Sequence, residues 1–320
     1  MSMTVKQPNV LVAIASYRDN DLQNTINDLL VKAKNPARLR IVVFNQLLAE
    51  DSDCHAPQHM HVDEICVDAG ASQGVCWARS QLYQKFSGDE DFVLQIDSHM
   101  RFEPGWDTQL YLMWQQCANP KAIISHYPPS FTLPDNFAEK QITVLKPGKF
   151  NSRGVLVYQS DTYLYSQKPD QPVPSAFVSG NFLFAPAAAL REVPYDPYLY
   201  FFGEEITLSA RLWTHGWDFY APNDVLAWHN YSKQPTRPRH WDDHDNAAKL
   251  ESLSVQRIQY LLAGTEPEDS KAIQEIDRFG LGHERTMDDY QSLAKVDFKK
   301  QKVLETEYVR NGRRLKLFKA

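Results

Sequence analysis

The amino-acid sequence predicts an α/β fold in which helices cover both faces of a mostly parallel β-sheet. Strand-like and helix-like runs alternate along the N-terminal half, which is the pattern that builds such a sheet. The chain has 320 residues, of which 43% are hydrophobic, enough for one large core. Two polar clusters, SYRDND and DSH, directly follow apolar strands. Ligands bind at the carboxyl ends of strands in such sheets, so both clusters are predicted to lie on one ligand-binding edge.

Each element of the N-terminal half has its own signal. Short runs rich in Val, Ile, Leu and Phe predict strands over residues 10–16, 40–45, 61–68, 91–97 and 121–127. Apolar residues at three- and four-residue spacing predict helices over residues 22–33, 72–86 and 106–117, with Asn20 or Asp21 capping the first.

The C-terminal half is less regular. Between residues 128 and 175, proline-rich loops surround one short strand, RGVLVYQ, and predict a mobile or acceptor-facing segment. The elements predicted beyond it are a strand over 176–186 interrupted by Gly180, a helix from about Glu204 to Thr214 stopped by Gly216, two short strands ending at His229, and helices at about 246–262 and 286–294. A basic tail, RNGRRLKLFK, ends the pattern.

Charge and apolar patterning argue against two classes of protein. The net charge of −6 does not fit a general nucleic-acid binder, which is usually basic. No apolar run reaches the roughly 18 residues that span a bilayer. The first apolar stretch fits a strand better than a signal peptide. The four cysteines form no C-x-x-C pair, which predicts free thiols and a cytoplasmic location.

The DSH cluster predicts a metal site. Asp97 and His99 are two residues apart, so in an extended segment they project to the same side. A carboxylate with an imidazole suits manganese better than calcium. His229, near the end of the last predicted strand, would complete a set of three ligands. The alternatives are a solvated aspartate at a strand end and a packed core histidine.

A cation on this edge suits a sugar nucleotide, because it would stabilise the diphosphate leaving group. Arg18 and Arg79 are candidates to assist, although either would equally fit a surface ion pair. Glu204 and Glu205 begin a helix, where acidic residues favour the helix dipole. Because they follow an aromatic run and a glycine, they are also candidates to bind sugar hydroxyls or to stabilise positive charge at the anomeric carbon.

Several blocks together resemble the polypeptide α-N-acetylglucosaminyltransferases, a group that includes the cytoplasmic enzyme acting on hydroxyproline of Skp1. The blocks are SYRDND, GVCWARS, LQIDSHMRFEPGWD, SGNFLFA, FFGEEITLSARLWTHGWDFYAP and HNY. They are more distantly similar to the mucin-type polypeptide N-acetylgalactosaminyltransferases. The order and spacing of the DSH and GEE blocks are the specific part of this resemblance.

The resemblance implies a GT-A fold, a divalent metal, usually Mn²⁺, and a role for each matching residue. The implied roles are nucleotide binding by Ser16, Tyr17 and Arg18, diphosphate binding by Gly74 and Arg79, metal and diphosphate binding by Asp97, Ser98 and His99, metal binding by His229, and donor-sugar binding by Glu204. Glu205 stands where the distant relatives have asparagine, so the division of labour between the two glutamates stays open.

The function implied by the resemblance is retaining transfer of N-acetylglucosamine from UDP-GlcNAc to a hydroxyl of a polypeptide. Glu205, Trp106 and Trp217 are expected to shape the pocket. The catalytic domain is expected over residues 1–232, and a helical extension packed on it over 233–320. An inverting transferase that builds a glycan, with Glu205 or Asp242 as base, is one alternative. A non-enzymatic nucleotide-sugar-binding protein is another, and hydroxyproline, threonine, serine or a glycan stay open as acceptors.

Overall fold

The computed structural model describes residues 7–232, 238–305 and 307–316. Its first elements are β1 (Val10–Tyr17), α1 (Leu22–Lys32), β2 (Leu39–Leu47), β3 (Val62–Asp68), α2 (Val75–Tyr83), β4 (Phe92–Asp97), β5 (Met100–Phe102), α3 (Trp106–Gln116) and β6 (Ala122–Ser125). The next are β7 (Phe131–Thr132), β8 (Asn136–Phe137), β9 (Gln141–Phe150), β10 (Leu156–Leu164), β11 (Val173–Ser175), β12 (Phe182–Pro186), α4 (Ala187–Glu192), α5 (Glu204–Thr214), β13 (Asp218–Ala221) and β14 (Ala227–His229). The last are α6 (Ala247–Ala263), α7 (Ile276–Phe279), α8 (Met287–Ala294), β15 (Val296–Asp297), β16 (Lys302–Val303), β17 (Glu307–Arg310) and β18 (Arg313–Lys316).

The central sheet has the strand order β11-β13-β6-β12-β4-β1-β2-β3. The pairs β1–β2, β2–β3, β1–β4 and β6–β13 are parallel. Strand β12 lies antiparallel between β4 and β6, and β11 is antiparallel to β13. Because β1 and β4 are parallel neighbours, their polar ends meet at one edge of the sheet, as the sequence predicts.

Both faces of the sheet are covered by helices. In β1, Leu11 and Ala13 belong to a core shared with α2, α5, α6 and α8. Val12 and Ile14 point the other way, into a core shared with α1 and α3. This alternation follows from the two-residue period of a strand, since both faces of a central strand are buried. The predicted α/β class is confirmed.

The region between residues 128 and 175 differs from its prediction. Instead of loops around one short strand, β9 and β10 form a long antiparallel hairpin. Strand β9 contains Pro147, which cannot donate a ladder hydrogen bond. The pairing register shifts between Val157 and Tyr158, and Tyr158 lies opposite Pro147. A bulge at this point accommodates the proline within the hairpin.

The strand predicted over 176–186 begins only at Phe182. The residues before it form a loop whose backbone N–H groups donate to side chains rather than to a neighbouring strand. Val178 donates to Ser209 Oγ at 2.9 Å, and Ser179 donates to Ser125 Oγ at 2.7 Å. This loop therefore stays well positioned outside the ladder.

The C-terminal region packs on the sheet through α6 and α8, whose Ile258, Leu261, Tyr290 and Ala294 lie in the same core as Leu11. Both helices lie where the sequence predicts them, and two short hairpins, β15–β16 and β17–β18, accompany them. The division into domains at residue 232 stays a prediction. Its boundary adjoins residues 233–237, which lie outside the described ranges, as do the last residues of the basic tail.

No helix in the described ranges combines the length and the apolar composition that crossing a bilayer requires.

Candidate active site

A cavity of about 710 Å³ opens at the carboxyl ends of β1 and β4. Its other walls come from the start of β10, the start of α5, the residues around His229, and residues 238–241. The predicted site residues that line it are Ser16, Tyr17, Arg79, Asp97, Ser98, His99, Glu204, Glu205 and His229. The fold therefore gathers residues from distant parts of the chain around one space.

Asp97, His99 and His229 form one group, which we call the Asp–His–His cluster. Their candidate ligand atoms all lie within 4.8 Å of one another. His229 Nε2 is 3.1 Å and His99 Nε2 is 3.9 Å from Asp97 Oδ2. The short ladder between β14 and β5 causes this proximity, because it pairs His229 with Met100.

Asp19 orients one ligand of the cluster. Its Oδ2 lies 2.7 Å from His99 Nδ1 and also accepts a 2.7 Å hydrogen bond from Ser98 Oγ. Nδ1 therefore carries the proton, and Nε2 is left to face Asp97 with its lone pair. A carboxylate behind a histidine is the usual arrangement around protein-bound metals. One carboxylate and two imidazoles suit a divalent cation of the manganese type, so the residues fit the predicted ion.

Asp97 is held in its ionised form. Burial alone would raise the pKa of its carboxyl group, but the hydrogen bond with His229 and the positive charge of Arg79 together lower that pKa well below its ordinary value. Its side chain keeps 26% of its surface exposed, towards the cavity. The cluster thus presents an anionic ligand at neutral pH.

Arg79 joins the cluster to the first glutamate. One of its nitrogens donates to Asp97 Oδ1 at 2.7 Å, and the other contacts Glu204 Oε1. Tyr195 also donates to this Glu204 oxygen, at 2.8 Å. Arg79 is buried, and a Cβ at position 180 would lie 2.6 Å from its Nη1. Only glycine at position 180 leaves room for this ion pair.

Glu205 has different partners from its neighbour. Tyr127 Oη donates to its Oε2 at 2.5 Å, and the backbone N–H of Gly180 donates to its Oε1 at 2.9 Å. Burial raises the pKa of Glu205 from 4.5 to about 7, because these two hydrogen bonds only partly offset the loss of solvent. The carboxyl group of Glu205 is therefore partly protonated near neutral pH, in the same cavity as the ionised Asp97.

Arg18 does not line the cavity, whereas its neighbours Ser16 and Tyr17 do. Its guanidinium donates to Asp51 at 2.7 Å and to Asp243 at 3.1 Å, and Tyr17 Oη also donates to Asp243. Arg18 thus connects the loop after β2 with the segment that contains Asp243. Its guanidinium is thus directed towards Asp51 and Asp243, and it shares Asp243 with Tyr17.

Gly74 immediately precedes the first residue of α2, and it is not among the residues that line the cavity. Its φ of +100° lies in a region that other residues rarely adopt, and a Cβ there would lie 2.1 Å from the carbonyl oxygen of Tyr200. The glycine lets α2 start against this carbonyl, which accepts a hydrogen bond from Val75 N–H at 3.1 Å. This start places Arg79, one turn along, beneath the cavity.

The expectation that Trp106 and Trp217 shape the pocket is wrong. Trp106, the first residue of α3, is buried against α1. Its Nε1 donates to the carbonyl of Leu29 at 2.9 Å. Trp217 packs on the opposite face of the sheet, and its Nε1 donates to Glu192. Both indoles bury their apolar surface and satisfy their one donor, which is the ordinary role of tryptophan in a core.

Other aromatic residues line the cavity instead, namely Tyr127, Tyr158, Phe201, Phe202, Tyr231 and Trp241. Asp242, the alternative base, follows Trp241 but is not among the described residues that line the cavity. Sequence reasoning missed Asp19 although it lies in the SYRDND block. The only sequence feature that pointed to Tyr127 was its position at the end of a predicted strand. No motif in the sequence analysis singled out Tyr195 or Trp241 as a site residue.

A comparison with protein families decides the relationship. The model of the GlcNAc glycosyltransferase family matches residues 9–66 and 58–300. The chain belongs to this family. No curated protein matches the sequence.

One solved structure agrees with the family at the level of fold. A crystal structure of GalNAc-T7 with UDP, GalNAc and Mn²⁺ aligns with a TM-score of 0.58 and 12% identity, over 90% of this chain and 56% of that one. The chain thus spans little more than half the length of that protein. Staphylococcus aureus TarS aligns at 0.48 with 10% identity, over 85% of this chain and 70% of that one. The mannosyltransferase PcManGT from Pyrobaculum calidifontis, with GDP-Man and Mn²⁺, aligns with a TM-score of 0.48 and 11% identity. The alignment covers 85% of this chain and 68% of that one.

This member of the GlcNAc glycosyltransferase family therefore has a GT-A fold, as the sequence resemblance implies.

Proposed function

We propose that this chain transfers N-acetylglucosamine from UDP-GlcNAc to a hydroxyl group of a polypeptide, with retention of anomeric configuration. One observation carries the proposal: the Asp–His–His cluster and the glutamate pair, Glu204 and Glu205, face the same cavity and are joined by Arg79. A site for a cation and a site for a sugar are thus adjacent, as an enzyme that expels a diphosphate from a sugar requires.

The cluster is proposed as the diphosphate end of the site. Asp97, His99 and His229 would hold Mn²⁺, and Asp19 would keep His99 in the ligating tautomer. When bound, the ion would offset the negative charge that develops on the diphosphate as the glycosidic bond breaks. Ser98, between two of the ligands, would act on the diphosphate end indirectly, because its hydroxyl donates to Asp19.

The nucleotide is proposed to lie against β1. Ser16 and Tyr17 line the cavity there, and Gln46 is next to them. Gln46 Nε2 donates to the carbonyl of Ser16 at 3.1 Å, which fixes this part of the wall. Arg18 supports Tyr17 from outside the cavity through Asp243.

The glutamate pair is proposed as the sugar end. Arg79 and Tyr195 both contact one carboxylate oxygen of Glu204 and fix its side chain, so its other carboxylate oxygen can accept hydrogen bonds from sugar hydroxyls. A fixed negative charge there also stabilises an anomeric carbon that becomes positive in the transition state. Glu205, with Tyr127, lies where it can contact the sugar or the acceptor.

The acceptor hydroxyl is proposed to attack from the side on which the diphosphate leaves. Its proton can pass to the leaving β-phosphate, so no side chain has to act as base. Phe201, Phe202 and Trp241 give the cavity mouth an apolar surface that suits a polypeptide carrying hydroxyproline, threonine or serine. The four cysteines are free thiols, which favours the reducing environment of the cytoplasm.

A screen of UDP-sugars for slow hydrolysis tests the proposal without knowledge of the acceptor. UDP-GlcNAc should be hydrolysed in the presence of Mn²⁺, at a higher rate than UDP-GalNAc or UDP-glucose, and chelation should stop the reaction. Calorimetric titration of UDP with and without Mn²⁺ is the companion measurement. If UDP binds equally well in both conditions and no UDP-sugar is hydrolysed, a metal-dependent transferase is excluded.

An inverting transferase is a second candidate, because a carboxyl group with a pKa of about 7 in the cavity suits a general base. Glu205 would then take the proton of an acceptor that attacks from the face opposite the diphosphate. The two candidates differ in the product. Proton NMR of the new glycosidic linkage distinguishes an α from a β configuration. A β-linked product from the α-linked donor would show inversion and exclude the retaining mechanism.

A further inference from the structure

A second group of metal-binding residue types lies on the far edge of the sheet, at β3. Glu64 and Cys66 belong to β3, and His55 comes from the loop that precedes it. His55 Nδ1 is 3.2 Å from Glu64 Oε2 and 3.8 Å from Cys66 Sγ. The candidate ligand atoms of all three residues lie within 4.8 Å of one another.

These two separations fit the edges of a tetrahedron around zinc. Ligand distances of about 2.3 Å for sulfur and about 2.0 Å for nitrogen and oxygen place tetrahedral ligands about 3.3 Å apart for nitrogen and oxygen, and about 3.6 Å apart for nitrogen and sulfur. The observed 3.2 Å and 3.8 Å deviate from these values by no more than a small side-chain movement. The two separations from His55 therefore match those between zinc ligands, and the remaining Glu64–Cys66 pair lies within 4.8 Å.

The hydrogen bonds of His55 do not satisfy both of its neighbours at once, although the Cys66 thiol is also within hydrogen-bonding range of Glu64. A single ring nitrogen, His55 Nδ1, faces both the carboxylate and the thiol. If Nδ1 carries a proton it can donate to Glu64, and if it does not it can accept from Cys66. It cannot do both with full strength. A cation bound to all three atoms satisfies each of them at once.

Glu64 is held in place from behind. Its Oε1 accepts hydrogen bonds from Asn45 Nδ2 at 2.6 Å and from the backbone N–H of Ala56 at 2.9 Å. Asn45 is fully buried in β2, so it is a fixed donor. These contacts leave Oε2 facing His55, which is the way that supporting residues orient a ligating carboxylate in metal sites.

We propose that His55, Glu64 and Cys66 form a second metal site, which binds a zinc-type divalent ion and leaves a fourth position for water. A thiolate ligand selects zinc over manganese, so the site differs in preference from the Asp–His–His cluster. The ion would fix the loop between β2 and β3 to the edge strand. The same loop carries Asp51, the partner of Arg18, so the site would stabilise the nucleotide side of the cavity. This inference does not depend on which sugar is transferred.

Cobalt substitution tests the proposal, because Co²⁺ bound to a thiolate gives a charge-transfer absorption in the near ultraviolet. The Asp–His–His cluster contains no thiol and cannot produce this band. Titration of the reduced, chelator-treated protein should give the band at one equivalent, and Zn²⁺ should displace it. Cys66→Ser should lose the band, and His55→Ala should weaken Co²⁺ binding by at least about tenfold.

Matched controls come from the same chain. His59→Ala removes another exposed histidine of this loop, and Cys117→Ser removes another thiol, so both should retain the band. Because His55 and Cys66 are exposed, their substitution leaves the core intact, and circular dichroism checks this. Zn²⁺ should raise the melting temperature of the wild type by more than that of Cys66→Ser, since both proteins retain the Asp–His–His cluster. Absence of the band in the wild type, its persistence in Cys66→Ser, or equal losses in His55→Ala and His59→Ala would each overturn the proposal.

Discussion

The two walls of the cavity are built in opposite ways. In the Asp–His–His cluster, Asp97 and His99 come from one chain segment and His229 comes from a distant one. The β14–β5 ladder brings the two segments together. Glu204 and Glu205 are adjacent in sequence, yet their carboxyl groups have no partner in common among the described contacts. Sequence distance therefore predicts neither the gathering of the first group nor the separation of the second.

The walls also differ in ionisation. Asp97 faces histidine and arginine, which lower the pKa of its carboxyl group despite burial. Glu205 faces a tyrosine hydroxyl and a backbone N–H, and burial raises its pKa to about 7. One cavity thus holds a permanently charged carboxylate beside one that titrates near neutrality. Such a difference between neighbouring acids is how enzymes assign them separate roles.

Removing the anionic ligand should have the largest effect. We expect Asp97→Ala to lower Mn²⁺-dependent UDP-GlcNAc hydrolysis by about 1,000-fold, since the stabilisation lost is several kcal/mol. Initial rates across a Mn²⁺ titration are the measurement. Asp63→Ala, an exposed aspartate of β3 paired with Arg40, is the control and should behave as wild type. Undiminished hydrolysis by a folded Asp97→Ala protein would remove the metal role from this wall.

Substitution of Glu204 in the glutamate wall should lower the turnover rate rather than the affinity for the nucleotide. We expect Glu204→Gln to lower the turnover rate by about 100-fold, because it removes a fixed charge beside the anomeric carbon. UDP affinity should change by less than about threefold, since the loss concerns the transition state. Steady-state kinetics and UDP calorimetry separate the two quantities. Glu284→Gln, on an exposed glutamate paired with Lys121, is the control, and equal losses of rate and UDP affinity would place Glu204 outside the sugar site.

The residue behind the cluster should tune metal affinity. Asp19→Asn replaces the carboxylate that accepts from His99 Nδ1, so the imidazole becomes a weaker and less fixed ligand. We expect Mn²⁺ to bind about 10- to 100-fold more weakly, which calorimetry measures directly. The control Asp63→Asn should leave the affinity unchanged. If Asp19→Asn binds Mn²⁺ as tightly as wild type, Asp19 serves the fold and not the metal.

The smallest expected effect concerns stability against pH. With its pKa raised from 4.5 to about 7, Glu205 binds a proton more tightly in the folded than in the unfolded chain. The free energy of unfolding should therefore fall as pH rises from 4.5 to about 7. The contribution is about 1–2 kcal/mol, below the full value for the shift because the carboxyl group is only partly buried.

Urea unfolding at pH 5 and pH 8 measures this contribution. Glu205→Gln keeps the hydrogen-bonding shape but cannot ionise, so the variant should lose that part of the decline. Glu284→Gln, exposed and far from the cavity, should keep the wild-type dependence. Identical pH dependence in wild type and Glu205→Gln would mean that Glu205 titrates as an ordinary surface carboxyl.

Sequence reasoning succeeded where local pattern and topology suffice. The strands β1, β2 and β4 are short buried runs, and the parallel pairing of β1 with β4 places Asp97 beside Ala15 of β1. Residue type and a strand-end position make His229 a candidate third ligand, and the resemblance adds the match, but no local pattern shows that residues so far apart meet. Three features could not be predicted: the hairpin that tolerates Pro147, the support of His99 by Asp19, and the burial of Trp106. Each depends on contacts between distant segments.

Arg79 is shared by both walls, and this has a thermodynamic consequence. A single buried guanidinium binds Asp97 on one side and Glu204 on the other. If the proposed metal and sugar sites are filled, a cation that draws Asp97 towards itself would weaken that half of the bridge and change how firmly Glu204 is held. The free energies of filling the two ends are then linked, and linkage is reciprocal. Whatever factor metal occupancy imposes on sugar affinity, the sugar must impose on metal affinity in return.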